Sequence, residues 1–257
     1  MAMSAHETST QEKSTHGIWL AGMDGCPAGW IVAFARADLS EVRVRLVARF
    51  IDVPAAPEAP AVIAIDIPIG LPVRAGYGGR AAENAVRPLL GARQSSVFSV
   101  PSRAAIAAQD YREACRIALA TSEPPRKVSK QLFMLAPKIR EVDAVLRADT
   151  TLSQRVFEVH PEVAFWRLNG EQALSEPKKV KSRPYEPGLA LRRQLLIEAG
   201  LPAAVVEASP PKGAGLDDLI DALACASIAR RILNCVAQSF PNPPERDAFD
   251  LPMAIWA

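Results

Sequence analysis

The chain has 257 residues, enough for one large domain or two small ones with a substantial core. Hydrophobic residues make up 49% and charged residues 23%, a globular balance rather than a disordered or membrane one, and there is no apolar run long enough for a membrane span. A net charge of +2 neither demands nor excludes a nucleic-acid partner.

Residues 1–16 (MAMSAHETSTQEKSTH) are polar and lack an apolar segment, so they read as a disordered leader rather than a signal peptide. A cytoplasmic protein is expected by default. Cys26, Cys115, Cys225 and Cys235 are widely spaced and form no CxxC pair, which argues for free, largely buried thiols.

Ile18 to Met23 reads as a short strand stopped by the turn-forming run Asp24-Gly25-Cys26-Pro27-Ala28-Gly29. Trp30 to Phe34 and the alternating Val42, Val44, Leu46 complete a meander of three strands. The stretch around Pro54, Pro57 and Pro60 is too interrupted for a central strand and serves as a connection. Ala61 to Ile65 is apolar throughout, as in parallel strands covered on both faces, and it runs straight into Asp66. The C-terminal ends of such strands are where α/β proteins place their chemistry.

Gly76 to Pro101 is rich in Gly and Arg and reads as a loop able to cover a site. Ser102 is positioned to cap a helix reaching about Leu119, and Ser129 another reaching about Leu146, which Pro137 should kink or interrupt. Arg155 to Val159 returns as a strand, followed by a short helix or turn over 163–168, a helix over 189–198 closed by Gly200, and a long helix from Leu216 to about Val236. The apolar segment Leu251 to Trp256 can bury against its own domain or against a partner, such as a second copy in a homodimer. No internal repeat is visible, and the order of elements predicts one α/β domain over 17–257 with a mixed sheet of five or more strands and a helical insertion about 76–150.

The clearest chemical signal is acidic. On a helix, Asp221 lies three residues from Asp218 and four from Asp217, and it begins the small apolar face Ala-Leu-Ala-Cys-Ala. Aspartates at a helix start complement the dipole, which accounts for Asp217 and Asp218 but not for Asp221. Asp24 alone is explained by an ordinary Asp-Gly turn, whereas Asp66 between apolar flanks has no such easy exit to solvent. Glu158, in the run Glu158-Val159-His160-Pro161-Glu162, is a further candidate. Carboxylates converging from separate elements with little histidine suit Mg²⁺ or Mn²⁺, and two ions about 4 Å apart can clamp a scissile phosphate. Basic residues gather at Arg126, Lys127 and Lys130 and again at Lys178, Lys179, Lys181 and Arg183, as a solvated face or a phosphate contact.

Six motifs occur in order: GMDGCPAGW from Gly22, AIDIPIGLP from Ala64, SSVFSVPSR from Ser95, SKQLFMLAPKIREVD from Ser129, FEVHPEVAF from Phe157 and LDDLIDALACA from Leu216. Together they resemble the DUF429 family, whose members are described as predicted nucleases of the ribonuclease-H-like superfamily. The resemblance implies a ribonuclease-H-like three-layer domain. By analogy with RuvC-like resolvases, Asp24 would be the first-strand acid, Asp66 the acid ending the fourth strand, and Asp218 and Asp221 the paired acids of the final helix. All four would serve as metal ligands and catalytic groups, with Glu158 compensating for an aspartate where resolvases usually carry glutamate. Arg103, Lys130, Gln131, Lys138, Arg140, Glu141 and His160 become candidates for substrate contacts, against the plainer reading of a salt-bridged insertion. The expected function is a divalent-metal-dependent nuclease or phosphodiesterase of unassigned substrate, with nucleic acid or a small phosphorylated molecule as its partner. The alternatives are a hydrolase of a small phosphorylated or nucleotide-like molecule, and a non-enzymatic binding protein.

Overall fold

The computed structural model describes residues 17–181 and 183–257, and the leader expected over residues 1–16 lies outside them. Strands β1 (Trp19–Cys26), β2 (Gly29–Arg36) and β3 (Val42–Val47) form an antiparallel meander. A 3-10 turn at Phe50–Asp52 leads through the proline-rich connection to β4 (Val62–Ile65), which pairs parallel with β1, and β5 (Val156–Glu158) pairs parallel with β4. The resulting mixed sheet has five strands in the order β3-β2-β1-β4-β5. Edge strand β3 alternates Val with Arg43 and Arg45, and the Arg45 guanidinium meets the buried Glu58 at 2.7 Å.

Between β4 and β5 lie α1 (Ala81–Val86), a 3-10 stretch over Arg87–Ser96, α2 (Arg103–Ala107), α3 (Tyr111–Ala120), α4 (Lys130–Ala148) and α5 (Thr150–Ser153). After β5 come α6 (Pro161–Leu168), the small hairpin β6 (Lys179–Val180) and β7 (Arg183–Pro184), α7 (Glu186–Glu198), α8 (Ala203–Val206), α9 (Leu216–Leu233) and a closing hairpin of β8 (Ser239–Arg246) and β9 (Pro252–Trp256). Helices cover both faces of the sheet. One core joins Met23, Phe34, Ile63 and Ile65 to Leu132, Ile139 and Leu146 of α4; the other joins Leu20, Ile31 and Ala64 to Phe165, Leu196, Leu223 and Ala226. Among the described residues no helix is long and apolar enough to cross a membrane.

Several boundaries differ from the sequence expectation, each for a physical reason. β1 does not stop at Met23: its pairing with β2 continues through Asp24↔Ile31 to Cys26↔Gly29, so Asp24 lies inside the strand rather than in the turn. The single helix expected from Ser102 to Leu119 is two, because Asp110 starts α3 afresh by accepting from the N–H groups of Arg112 and Glu113 at 2.9 and 3.0 Å. α4 is not interrupted at Pro137, since Leu132, Ala136, Ile139, Val142 and Leu146 hold one stripe of it on the sheet. The stretch 76–101 is partly helical, with Ala82 and Val86 of α1 packed against Ile255 and Ala257. Leu251 to Trp256 therefore buries against its own chain. Cys26, Cys115 and Cys225 are free and buried, whereas Cys235 is exposed.

The contact between α9 and β1 is set by side-chain size. A Cβ added at Gly22 would lie 2.1 Å from the Ala226 nitrogen, so only glycine lets the Ala222–Ala226 face of the helix rest directly on the strand. That close approach decides where Asp221 comes to lie.

Candidate metal centre

Asp24 and Asp66 occupy corresponding places on adjacent parallel strands. Met23 is registered with Ile65, and the Asp66 N–H donates to the Met23 carbonyl at 3.0 Å, so the two carboxylates leave the sheet side by side. Asp221 arrives from α9, immediately before the residue whose carbonyl crowds Gly22. One carboxylate oxygen from each of Asp24, Asp66 and Asp221 falls within 4.8 Å of the others. Asp24 and Asp66 are half-buried, and Asp221 is 2% exposed.

Crowding and burial disfavour three negative charges here. Burial, then the charges of Asp66 and Asp221, raise the Asp24 carboxyl well above its usual range. Burial pushes Asp66 up to about 7 and Asp221 up to about 6, with Lys178 pulling both back. The Lys178 ammonium donates to Asp221 Oδ2. Burial works against that ammonium, but the charges of Asp221, Asp24 and Asp66 outweigh it and raise its pKa. Asp221 Oδ1 remains buried with no hydrogen-bond partner. An all-oxygen donor set with an orphaned buried carboxylate oxygen fits a hard divalent cation.

The structure separates the other acids from this triad. Asp218 Oδ2 accepts from the Gly215 N–H at 2.8 Å and closes the first turn of α9, while Asp217 meets Lys179 at 2.6 Å. Glu158 faces Arg80, whose Nη2 lies 2.6 Å from Oε1, and its Oε2 accepts from the Ile69 N–H at 2.7 Å. Arg80 also binds Glu83 and the carbonyls of Ile69 and Gly70, at 2.6 to 3.0 Å. This buried network pins the loop that follows Asp66, although burial still lifts the Glu158 carboxyl to about 7.

Beside Asp24 and Asp66 opens a cavity of about 400 Å³, walled by Phe98, Leu132 and Leu135 and edged by Gln131, His160 and Lys178. Burial lowers the His160 pKa and favours the neutral ring. Its Nδ1 accepts from the Glu162 N–H at 3.2 Å, which leaves the proton on Nε2, 3.3 Å from the Ser96 carbonyl. Glu162 is itself held by Arg192 at 2.6 and 2.8 Å.

Most of the basic residues singled out from the sequence are engaged elsewhere. Arg103 joins Asp143 and Asp247. Lys138 donates to the Gly29 carbonyl and lies 4.5 Å over the Trp30 ring. Arg140 binds the carbonyls of Ile106 and Ala108 at 2.8 and 3.2 Å, and Glu141 accepts from the Trp30 indole at 3.2 Å and from the Phe50 N–H at 2.5 Å. Lys130 stands exposed at the start of α4. From that group, Gln131 and His160 face the cavity. Sequence reasoning missed Arg80, and it missed that Lys178 reaches the acids. The available signal for Arg80 was a Glu three residues on, the i,i+3 spacing of a helical ion pair.

Fold and site together define an α/β protein with a carboxylate triad, suited to a divalent cation, at the end of two parallel strands. Residues 22–246 match the family described as protein of unknown function (DUF429), and the chain belongs to that family. No curated protein and no solved structure gives a significant match.

Proposed function

We propose that the protein is a divalent-metal-dependent hydrolase of phosphoester bonds on a ribonuclease-H-like fold, acting on a small phosphorylated or nucleotide-like molecule. The observation that carries this reading is the triad of Asp24, Asp66 and Asp221, with its orphaned Asp221 oxygen, at the wall of a cavity. The strand order, with β2 antiparallel and β1, β4 and β5 parallel, supports the fold assignment.

Asp24, Asp66 and Asp221 would hold Mg²⁺ or Mn²⁺. Such an ion supplies Lewis-acid polarisation of a phosphoryl oxygen and a more acidic water. Lys178, already against Asp221, supplies a positive charge to the same spot and is free to turn to a substrate oxygen once its carboxylate is otherwise engaged. His160, neutral and held by its Nδ1 bond, presents a fixed wall rather than a charge. Phe98, Leu132 and Leu135 exclude water and offer an apolar face to a base or similar group.

Size favours the small substrate over a duplex. A cavity of about 400 Å³ holds one nucleotide-sized unit, and Arg103, Lys138 and Arg140, which would have tracked a backbone, are tied to protein groups. A screen of small phosphodiesters, nucleotides, single strands, RNA hybrids and branched DNA with Mg²⁺ or Mn²⁺ tests this. Turnover of small esters that stops with a chelator and in Asp24→Asn is expected. Turnover confined to long duplexes would overturn the substrate reading, and turnover indifferent to chelator would overturn the metal reading.

A further inference from the structure

The buried arginines of this protein are tied to protein acceptors, Arg80 to Glu83, Glu158, Ile69 and Gly70, and Arg192 to Glu162, Glu176 and Gly188. Half-buried Arg93 has no such acceptor. Its Nε is closed off from water without an acceptor, and among the described residues it makes no hydrogen bond or ion pair through any side-chain nitrogen. Arg167, Arg192 and Arg231 also have an orphaned Nε, but each binds through a terminal nitrogen. What sets Arg93 apart is its terminal nitrogens, which are open to solvent, have no protein acceptor and are free to meet an anion.

Arg93 faces a recess of about 250 Å³ together with Ser95. The recess shares Phe98, Gln131, Lys178 and Lys179 with the triad cavity, so the two are lobes of one cleft. Its other charges are already matched: Glu162 by Arg192, Lys178 by Asp221 and Lys179 by Asp217. Arg93 is the cation left over.

We propose that this recess is an anion subsite in which the Arg93 guanidinium, with the Ser95 hydroxyl and the Gln131 amide beside it, takes a phosphoryl group. The subsite deepens the phosphoester reading and rests on it for its link to the triad. The substrate class is then an organic phosphate with a second phosphoryl group beyond the ester bond that meets the triad, its connecting portion lying along Phe98. A guanidinium fork matches two phosphoryl oxygens at once, whereas a lysine there would act as a point charge.

Inorganic phosphate, titrated calorimetrically into the full chain without metal, reads the subsite directly. Wild type and Asp24→Asn bind it alike, Arg93→Ala binds it at least about tenfold more weakly, and Arg93→Lys falls between them. Melting curves establish that each variant is folded, and Arg93→Lys carries the test if the alanine variant is not. A 5′-phosphorylated dinucleotide and a sugar bisphosphate, each compared with its counterpart lacking the second phosphate, then separate a nucleotide source from a metabolite source. Equal phosphate affinity in wild type and Arg93→Ala, or no binding to wild type, would overturn the subsite. Should Mn²⁺ fail to bind wild type while phosphate binding still depends on Arg93, the metal reading falls and the subsite stands.

Discussion

Two groups of buried carboxylates meet at this cleft, and the protein treats them in opposite ways. Glu158 and Glu162 each face a fully buried arginine with two short contacts, and Glu158 also accepts a backbone N–H. Asp24, Asp66 and Asp221 share a single ammonium, that of Lys178, and one Asp221 oxygen has nothing. The compensated group braces the loop after Asp66 and the start of α6. The uncompensated group keeps an electrostatic deficit that a cation would remove. Burial alone therefore does not mark function; burial without a matching partner does.

Breaking the compensated side should have the largest effect. Arg80→Met leaves Glu83 and Glu158 buried without their cation, and the unfolding free energy measured in urea should fall by about 3–5 kcal/mol. A loss below about 1 kcal/mol would mean that the network is ornamental.

The uncompensated side should respond with the opposite sign. With its pKa raised to about 7, Asp66 keeps a proton in the folded state that the unfolded chain releases near pH 4. Metal-free stability from this group is thus full below about pH 4 and declines as pH rises toward 7. Asp66→Asn removes that decline, and at pH 8 the metal-free variant should be more stable than wild type by on the order of 1 kcal/mol. A variant less stable at pH 8 would show that Asp66 is held by bonds like those of Glu158.

Lys178→Met is the smallest and most diagnostic change. It removes the ammonium that competes for Asp221, so Mn²⁺ should bind about threefold more tightly. Weaker binding would mean that Lys178 organises the site rather than standing in for the ion.

Much of this arrangement was legible in the sequence, and its gaps have physical causes. Strands β2 and β4 announced themselves by apolar runs, and Asp66 by ending one of them. Asp24 was found although its setting was misjudged, because Asp-Gly has the local chemistry of a turn while the hairpin pairing that keeps it in β1 is decided across strands. The break between α2 and α3 turned on a cap at Asp110 within a stretch otherwise apt for helix. Charge partnerships were the least legible. Nothing near Arg103, Lys138 or Arg140 in the chain names Asp247, Gly29 or Ile106, and nothing near Arg80 names Glu158. Such pairs exist only after the sheet and its helices have brought distant segments together.

The central claim, that Asp24, Asp66 and Asp221 form a cation site, is tested most directly by calorimetric titration of Mn²⁺ into wild type and Asp24→Asn between pH 5 and 8. The carboxyls of Asp66 and Asp221, lifted to about 7 and about 6, must shed their protons to hold the ion, so wild-type affinity should climb through that interval. Asp24→Asn should bind at least about tenfold more weakly at pH 8. Wild type that takes up no Mn²⁺ at pH 8, or Asp24→Asn that matches it, would contradict the account.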